Sequence, residues 1–362
     1  MQQVNPDEYQ VQLTQKMRQL KDDFTSLPLP DIELHESPPI HYRMRAEFRI
    51  WHEHQRAHYA MNRPGEKKPY IIENFPAGSL LINTLMPPLL EAINASEVLS
   101  RRLFSAEFLT TLSGDALITL IYHKPLDEVW QTAATALQTQ LGVAVIGRSR
   151  KQKVVLERDD VMETLRVGDR EYKYQQIESG FTQPNAEVNQ KMLTWALQRA
   201  AGCGGDLLEL YCGNGNFTCV LAQQFERVLA TEISKLSVRS AEYNLNANHV
   251  DNVTIVRMSS EELTEALNGV RPFRRLRDID LHDYRFTTIF VDPPRAGLDD
   301  DTLKLTQRFD HIIYISCNPE SLKQNLKMLS DTHDITHFAA FDQFPYTHHL
   351  ECGAFLRKKA LS

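Results

Sequence analysis

The sequence predicts two domains of different fold class: an α/β domain with a doubly wound parallel sheet in the second half, and an α+β domain in the first. From Ser179 onward, short apolar segments alternate with helical ones, which is typical of parallel sheets. A turn containing Gly213 and Gly215 directly follows one of these strands. The residues before Ser179 show no such alternation. We therefore expect the domains to span residues 1–178 and 179–362.

Strands and helices follow one another regularly in the second half. Because ligands of such sheets bind at the carboxyl ends of the strands, residues at those ends are the first candidates for a functional site. Strands are predicted over residues 207–211, 228–231, 253–257, 288–291 and 312–316, with a late pair near 338–341 and 353–356. Helices are predicted over residues 216–223, 235–247, 259–267 and 319–330.

The first half combines helices with strands that carry arginines and aromatic residues. Apolar residues recur at helical spacing near the N-terminus, and the Pro-rich stretch 27–39 is typical of a linker. Strands rich in basic and aromatic side chains are a suitable surface for RNA. The predicted helices cover residues 9–24 and 127–141. The predicted strands cover residues 44–51 and 143–146, with two more inside 108–123 around a turn at 113–115.

Composition limits the class of protein. The chain has 362 residues, of which 42% are hydrophobic, enough for two globular domains. It contains no run of eighteen apolar residues and its N-terminus lacks the layout of a signal peptide. The five cysteines form no C-x-x-C pair. We therefore expect a cytoplasmic protein without a membrane span, a disulfide framework or a metal cluster.

The net charge gives little information about binding partners. The formal charge is −7, but phosphate binding requires only a local basic surface. Each basic segment alone is typical of a solvated face, whereas three of them favour an anionic polymer as partner. The three segments are 41–68, which includes Lys67, 148–153 and 271–277.

The strongest cofactor signal is a strand followed by a glycine turn and a helix. Gly213 and Gly215 let the backbone approach a ligand, and the helix start offers free N–H groups. Glu232 ends the next strand, where an acid can accept both hydroxyls of a ribose. Thr218 occupies a position where a dinucleotide site needs a small residue. The pattern therefore predicts a nucleoside cofactor and does not favour NAD.

Two later segments contain further acidic residues that are candidates for the functional site. Asp292 ends a central strand and is followed by two prolines, whose missing N–H groups turn the chain out of the sheet. Glu351 enters the last strand, where it is either a surface residue or a base facing the site. The adjacent His348 and His349 suggest a metal, but no other ligands lie at useful spacing, so we predict no zinc site.

Cys317 lies where a strand ends and a helix begins. Asn318 is a favourable helix cap, and Pro319 suits the first helical position. Free cysteines are commonly buried and inert, but exposed amide dipoles at a helix start lower the pKa of a thiol. We therefore expect Cys317 to be a nucleophile with a lowered pKa that acts beside the bound cofactor.

Four motifs together resemble the RNA uracil-5-methyltransferases. They are L-E-L-Y-C-G-N-G-N-F at 208–217, F-V-D-P-P-R-A-G-L-D at 290–299, I-S-C-N-P-E at 315–320 and H-H-L-E-C-G at 348–353. The segments 41–49 and 181–185 resemble the tRNA branch of that family. Members that act on ribosomal RNA often carry an N-terminal cysteine cluster for iron–sulfur, which this sequence lacks. The likeness runs from about residue 5 to 357.

The resemblance implies a Rossmann-like, S-adenosylmethionine-dependent methyltransferase fold with an RNA-binding first domain. Its expected partners are the T-loop of tRNA and the similar arm of tmRNA. In the family's mechanism the cysteine adds to the uracil ring and the glutamate removes a proton, roles that fall to Cys317 and Glu351. The resemblance assigns the cofactor to Gln183, Tyr211, Asn216, Glu232 and Asp292.

Three other functions remain open from the residues alone. A methyltransferase for an exocyclic amine would use the Asp-Pro-Pro turn and would not need Cys317. A non-catalytic RNA-binding protein with a vestigial cofactor fold would not bind S-adenosylmethionine. An NAD oxidoreductase is disfavoured by the residue at position 218. Substitution of Cys317 and measurement of cofactor binding discriminate among these functions.

Overall fold

The structure is a computed structural model that describes residues 4–63, 65–66 and 68–360; Lys67 of the first basic segment lies outside them. In chain order the helices are α1 (Tyr9–Asp23), α2 (Leu80–Ala95), α3 (Glu97–Ser100), α4 (Glu128–Leu141), α5 (Ala186–Ala200), α6 (Thr218–Leu221), α7 (Lys235–Ala247), α8 (Ser260–Leu267), α9 (Asp300–Thr306) and α10 (Pro319–Leu329). Single 3-10 turns occupy Pro6–Glu8, Ala222–Gln224, Arg274–Leu276 and Leu281–Asp283.

The strands include every one that the sequence predicts, together with several that it misses. In chain order they are β1 (Ile32–His35), β2 (Arg45–Glu53), β3 (Arg56–Met61), β4 (Tyr70–Ile72), β5 (Leu103–Thr110), β6 (Ala116–Tyr122), β7 (Ala144–Ser149), β8 (Gln152–Val155), β9 (Asp160–Val167), β10 (Arg170–Ile177), β11 (Asp206–Leu210), β12 (Val228–Thr231), β13 (Val253–Val256), β14 (Phe286–Val291), β15 (His311–Ser316), β16 (His333–Phe341) and β17 (Glu351–Lys358).

The chain forms two compact units. The first comprises Pro38–Thr164 and Gln175–Glu187 with the described residues before Asp7. The second comprises Asp7–Ser37, Leu165–Tyr174 and the described residues from Val188 onward. This division differs from the expected boundary at 178/179, because the N-terminal segment joins the second unit.

The second unit contains an eight-stranded sheet in the order β1-β16-β17-β15-β14-β11-β12-β13. Strand β17 is antiparallel to both of its neighbours, and the other pairings are parallel. All five residues of β11 are buried, as expected for a central strand covered on both faces. The α/β fold predicted for the second half is thus confirmed.

The Pro-rich stretch 27–39 is not simply a linker, and that interpretation of the sequence was wrong. Its residues Ile32–His35 form β1, which pairs in parallel with β16 at the sheet edge. The preceding helix α1 packs on the same unit, where the rings of Phe24 and Phe338 lie 5.3 Å apart. The prolines hid a four-residue strand because they flank it without interrupting it.

The first unit contains a seven-stranded sheet in the order β4-β3-β2-β5-β6-β7-β8. Helix α2 begins where Ser79 accepts a hydrogen bond from the N–H of Ile82, and it was not predicted. Its adjacent Pro87 and Pro88 are typical of a helix end, yet both lie inside the helix. Burial of an apolar face that includes Met86 and Leu89 stabilises α2 despite the lost backbone hydrogen bonds.

The described residues contain neither a helix that could span a membrane nor a cluster of metal ligands. None of their helices has both the length and the apolar character that crossing a bilayer requires. The same residues hold no group of three or more His, Cys, Asp or Glu side chains positioned for a metal ion.

Candidate functional site

The sheet register of the second unit aligns three predicted cofactor residues. Leu210, the last residue of β11, lies beside Thr231 of β12 and Val291 of β14. Each next residue therefore leaves the sheet at the same edge, and neighbouring strands are about 4.8 Å apart. These next residues are Tyr211, Glu232 and Asp292.

The same edge carries the predicted nucleophile and base. Ser316 at the end of β15 pairs with Cys352 of the antiparallel β17. Cys317 therefore lies next to Glu351, the first residue of β17. The thiol is half-buried and Glu351 is only 4% exposed. A candidate nucleophile and a buried carboxyl group thus lie side by side at the carboxyl ends of the parallel strands.

The turn after β11 has the backbone strain expected of a ligand-binding loop. Tyr211 has φ 61°, a left-handed conformation that is rare for a bulky side chain. Gly213 and Gly215 follow with φ 56° and 79°. A Cβ atom added to Gly213 would meet no heavy atom within 4 Å, so open space lies above the backbone there. The turn therefore leaves room for a ligand to approach the main chain.

Glu232 fixes this turn to the end of β12. One carboxylate oxygen accepts a hydrogen bond from the N–H of Gly213 at 3.0 Å, and the other accepts from Ser234 at 2.7 Å. A carboxylate has about four acceptor positions, so two remain for ribose hydroxyls. Glu232 therefore shapes the glycine turn as well as being the predicted ribose acceptor.

Asn216 is held by residues that the sequence analysis missed. Its amide group exchanges two hydrogen bonds of 2.9 Å with the amide of Asn189 on α5. The hydroxyl of Tyr174 donates to the carbonyl oxygen of Asn216 at 2.8 Å. The cofactor role of Asn216 stays a prediction, and its paired side chain favours a role for the loop backbone. Neither partner was identifiable, because each comes from an element that was not predicted.

Three carboxyl groups lie at or near this edge, those of Glu209 and Glu351 buried and that of Asp292 half-buried, and desolvation raises the pKa of each. The pKa of Asp292 is raised to about 7. Burial, with a smaller effect of Asp292, raises the pKa of Glu351 to about 8 and also that of Glu209 to about 8. Among the described residues, Oε2 of Glu209 has no hydrogen-bond partner. The edge thus accumulates acidic groups that a positively charged ligand would stabilise as carboxylates.

Cys317 differs from the expectation in one respect. Asn318 caps α10, accepting a hydrogen bond from the N–H of Glu320 at 3.2 Å, and Pro319 is the first helical residue. The pKa of the Cys317 thiol is nevertheless raised to about 11, first by burial and then by the carboxylates of Glu351 and Asp292. The expected lowering was wrong because a sequence shows the helix start but not the acids packed beside it.

Gln183 belongs to the first unit, whereas the other six predicted site residues belong to the second. It is half-buried in the segment before α5. Its assignment to the cofactor site stays a prediction.

The basic segments of the first unit are partly neutralised. Arg148 donates to the carboxylate of Glu178 at 2.5 Å, so it is not available as a surface charge. The guanidinium of Arg49, by contrast, lies 5.8 Å from the ring centre of Phe104. Phe104 in turn stacks on His123 at 4.5 Å. These three residues form a basic and aromatic surface on the seven-stranded sheet.

The third basic segment does not have the features of a phosphate-binding surface. Three of its arginines make ion pairs with acidic side chains, at 2.7 to 3.3 Å. Surface pairs of this kind contribute little to stability but reduce the local positive charge. The pairs are Arg271–Glu265, Arg275–Glu262 and Arg277–Asp278.

The residues at the sheet edge fit a nucleoside cofactor. The glycine turn has open space above it, Glu232 has free acceptor positions, and Glu209 keeps an unpaired buried oxygen. The strand order, with the antiparallel β17 inserted between β15 and β16 of an otherwise parallel sheet, is that of Rossmann-like methyltransferases. Fold and site together define an S-adenosylmethionine-dependent methyltransferase.

Comparison with known proteins specifies the family. The family model for tRNA (uracil-5-)-methyltransferase matches residues 8–359. The chain is 61% identical to a tRNA/tmRNA (uracil-C(5))-methyltransferase of Cellvibrio japonicus, covering 97% of this chain and 96% of the relative. It is 54% identical to the protein of that name from Vibrio parahaemolyticus, covering 99% of both. This chain therefore belongs to the tRNA (uracil-5-)-methyltransferase family.

A solved structure supports the fold. The tRNA (uracil-54, C5)-methyltransferase of Pyrococcus abyssi, determined in complex with S-adenosyl-L-homocysteine, superposes with a TM-score of 0.71. The likeness covers 96% of this chain and 83% of that one, at 22% identity. The predicted methyltransferase fold is thereby confirmed.

Proposed function

We propose that this protein transfers a methyl group from S-adenosylmethionine to C5 of a uridine in the T-loop of tRNA, and in the similar arm of tmRNA. The observation that carries the proposal is that Cys317 lies next to the buried Glu351, because the preceding Ser316 pairs with Cys352. The names of the relatives support the substrate class. Free cysteines and an RNA substrate favour a cytoplasmic location.

The cofactor would supply a methyl group on a positively charged sulfonium. Glu232 would accept hydrogen bonds from its ribose hydroxyls, and the backbone between Gly213 and Asn216 would face it. Asp292 would interact with its positive charge. Gln183 and Tyr211 complete the set that the family pattern assigns.

Cys317 provides the nucleophile that makes the ring reactive. Uracil C5 is too weak a nucleophile to displace a methyl group from sulfur unaided. When the Cys317 thiolate adds to C6, a C–S bond forms and the C5–C6 π electrons become an enolate with charge at C5. C5 then takes the methyl group, and the S–CH3 bond of the donor breaks, leaving its thioether. This divides one difficult step into two easier ones.

Glu351 completes the cycle by removing the surplus proton. After methyl transfer, C5 carries both a methyl group and a hydrogen. The Glu351 carboxylate takes this proton, the C5–C6 double bond re-forms, and the C6–S bond breaks to return the thiolate. The location of Glu351 beside Cys317 supports this role, since both groups act on adjacent carbons of one ring.

The uridine must leave its stacked position to reach Cys317, because addition at C6 requires access to the face of the ring. The surface formed by Arg49, Phe104 and His123 is suited to stack on bases of the opened loop and to contact its phosphates. We propose that this surface of the first unit holds the T-loop.

The substrate assignment is tested by incubating the protein with unmodified tRNA transcript and methyl-labelled S-adenosylmethionine. One methyl group per tRNA is expected, and nuclease mapping with mass spectrometry should locate it at C5 of a single T-loop uridine. A transcript with that uridine changed to cytidine is the matched control. Methylation of an exocyclic amine, or of several scattered uridines, would contradict the proposal.

A second test concerns the acidity of Cys317. Because burial, and then the carboxylates of Glu351 and Asp292, raise its pKa to about 11, its alkylation by iodoacetamide at pH 8 should be slow. A positive charge bound beside those carboxylates lowers the thiol pKa, and each unit of lowering speeds alkylation by about tenfold at this pH.

The matched ligands for this test are S-adenosylmethionine and S-adenosylhomocysteine, which differ by a methyl group and a positive charge. Alkylation of Cys317, followed on its tryptic peptide, should be several-fold faster with the first ligand bound. Equal rates with both would show that the sulfonium does not activate the thiol.

A further inference from the structure

The loop that leads into Glu351 adopts a strained conformation. It begins at Asp342, directly after β16, and ends at Leu350, directly before β17. Within it, Tyr346 has φ 59°, which is unfavourable for an aromatic side chain. Such conformations persist only where surrounding contacts hold them, and they concentrate at functional sites. The contacts that hold this loop therefore bear on how Glu351 is presented.

A buried lysine from the N-terminal helix contacts the loop at three points. The Lys16 ammonium group donates to Oδ1 of Asp342 at 2.6 Å, to the carbonyl of Phe344 at 2.8 Å and to the carbonyl of His349 at 3.1 Å. The side chain of Lys16 is 6% exposed and that of Asp342 is fully buried. All three N–H donors of the lysine are thus used on one loop, on both sides of Tyr346.

Tyr9, on the same helix, adds a second set of contacts. Its hydroxyl donates to the other carboxylate oxygen of Asp342 at 3.0 Å and accepts from the N–H of Ser37 at 2.8 Å. Its ring meets that of Tyr346 edge to face, with centroids 6.0 Å apart. We call Tyr9, Lys16 and Asp342 the buried clamp. All three residues belong to the second unit.

The clamp is placed where it affects Glu351 more than Cys317. Glu351 is paired with Phe341, so the loop is closed by the strands at both of its ends. His349, whose carbonyl Lys16 holds, is only two residues before Glu351. Cys317 instead follows β15 and precedes α10, so it belongs to neither end of the loop.

We infer that the buried clamp is a positioning device that holds the strained loop and thereby aims the Glu351 carboxylate at the proton on C5. The inference rests on the proposed role of Glu351 and names the residues that make that role possible. Loosening the clamp should slow proton removal, and with it release of the enzyme from RNA, more than it slows thiol addition or methyl transfer.

The test uses a double variant, Lys16→Met with Asp342→Asn. Removing only one partner would leave a buried charge unpaired and risk unfolding, whereas the double variant removes both charges. Lys21→Met, on an exposed position of the same helix, is the matched control. Tyr9→Phe keeps the ring against Tyr346 and removes only the hydroxyl. It therefore weakens the buried clamp less, and the charges of Lys16 and Asp342 stay in place.

The expected result is a shift in the rate-limiting step. The double variant should bind S-adenosylmethionine within about threefold of the wild type but show a kcat lowered at least tenfold. The fraction of enzyme trapped on methylated RNA, seen as a denaturant-resistant species, should rise several-fold. Tyr9→Phe should show a smaller rise and Lys21→Met none. A purely structural role would lower folded enzyme without raising this fraction.

Glu351→Gln, measured in parallel, separates the two proposals. If it traps methylated RNA while the folded double variant and Tyr9→Phe behave as wild type, the clamp inference is wrong and the role of Glu351 stands. If Glu351→Gln traps no RNA, the base role is wrong and the clamp inference fails with it. If the double variant does not fold, an unchanged trapped fraction in Tyr9→Phe overturns the clamp.

Discussion

Replacing Cys317 with alanine is expected to lower the rate of tRNA methylation by at least about 10⁴-fold, because Cys317 is the half-buried thiol beside Glu351, whereas Cys212, at the same edge, is buried. Without addition of a thiol to C6, C5 does not acquire the charge that attacks the methyl group. Cofactor binding should remain within about twofold, since the glycine turn and Glu232 hydrogen bond to each other and not to Cys317. Methyl transfer to tRNA and calorimetric titration with S-adenosylhomocysteine measure the two quantities separately.

Cys203→Ala is the matched control for this loss. Cys203 is also half-buried, and burial raises the pKa of its thiol, but it lies at the opposite end of the sheet, before β11. Full activity is expected in that variant. Appreciable methylation by Cys317→Ala would instead favour transfer to an exocyclic amine, where the Asp292-Pro293-Pro294 turn suffices and no thiol is needed.

Much of the candidate site could be predicted from the sequence, because the ends of strands can be predicted. Once alternating strands and helices predict a parallel sheet, the residues after each strand are known to meet at one edge. Glu232 and Asp292 were identified this way and Cys317 through its helix cap, whereas Tyr211 was assigned only through the resemblance to the family. The antiparallel strand that brings Glu351 beside Cys317 was predicted only as a strand, and its pairing came from the structure.

The residues that were not predicted from the sequence hold the candidate site through contacts between segments far apart in the chain. Asn189 and Tyr174 hold Asn216 from elements that the pattern did not predict. In the sequence, Lys16 cannot be distinguished from an exposed lysine on a helix. Only the structure shows that it is buried against Asp342, 326 residues later. The acidity of Cys317 was mispredicted for the same reason. Local sequence shows dipoles and caps, whereas pKa shifts depend on charges brought together by the fold.

Prolines account for the misassigned elements of the fold. In the stretch 27–39 they suggested a linker, yet β1 lies there and extends the sheet by pairing with β16. Helix α2, which was not predicted, continues through Pro87 and Pro88, although prolines are unfavourable inside a helix. In both places tertiary burial outweighs the local preference, which propensity alone does not include.

Glu351→Gln is expected to act in opposite directions on the two halves of the reaction. The amide cannot take the C5 proton, so turnover should fall by about 10² to 10⁴-fold, the usual contribution of a positioned base. The same change removes a carboxylate that raises the pKa of Cys317, so thiol addition should be retained or faster. Methylated RNA should therefore remain covalently bound to Cys317, at close to one RNA per enzyme.

The pH dependence gives this prediction a second, independent signature. The pKa of Glu351 is raised to about 8, so below that pH the side chain is protonated in the free protein and unable to accept the C5 proton. Wild-type kcat, which includes the proton-removal step, should therefore show an inflection near pH 8, and this inflection should be absent in Glu351→Gln.

Glu320→Gln, an exposed position on α10, is the matched control and should retain both the rate and its pH dependence. Electrophoresis under denaturing conditions measures the trapped RNA, and steady-state rates between about pH 6 and 9 measure the titration. If Glu351→Gln turned over without trapping RNA, another group would have to remove the proton. Asp292, the other raised-pKa carboxyl that acts on Cys317, would then be the first candidate, because it lies at the same sheet edge.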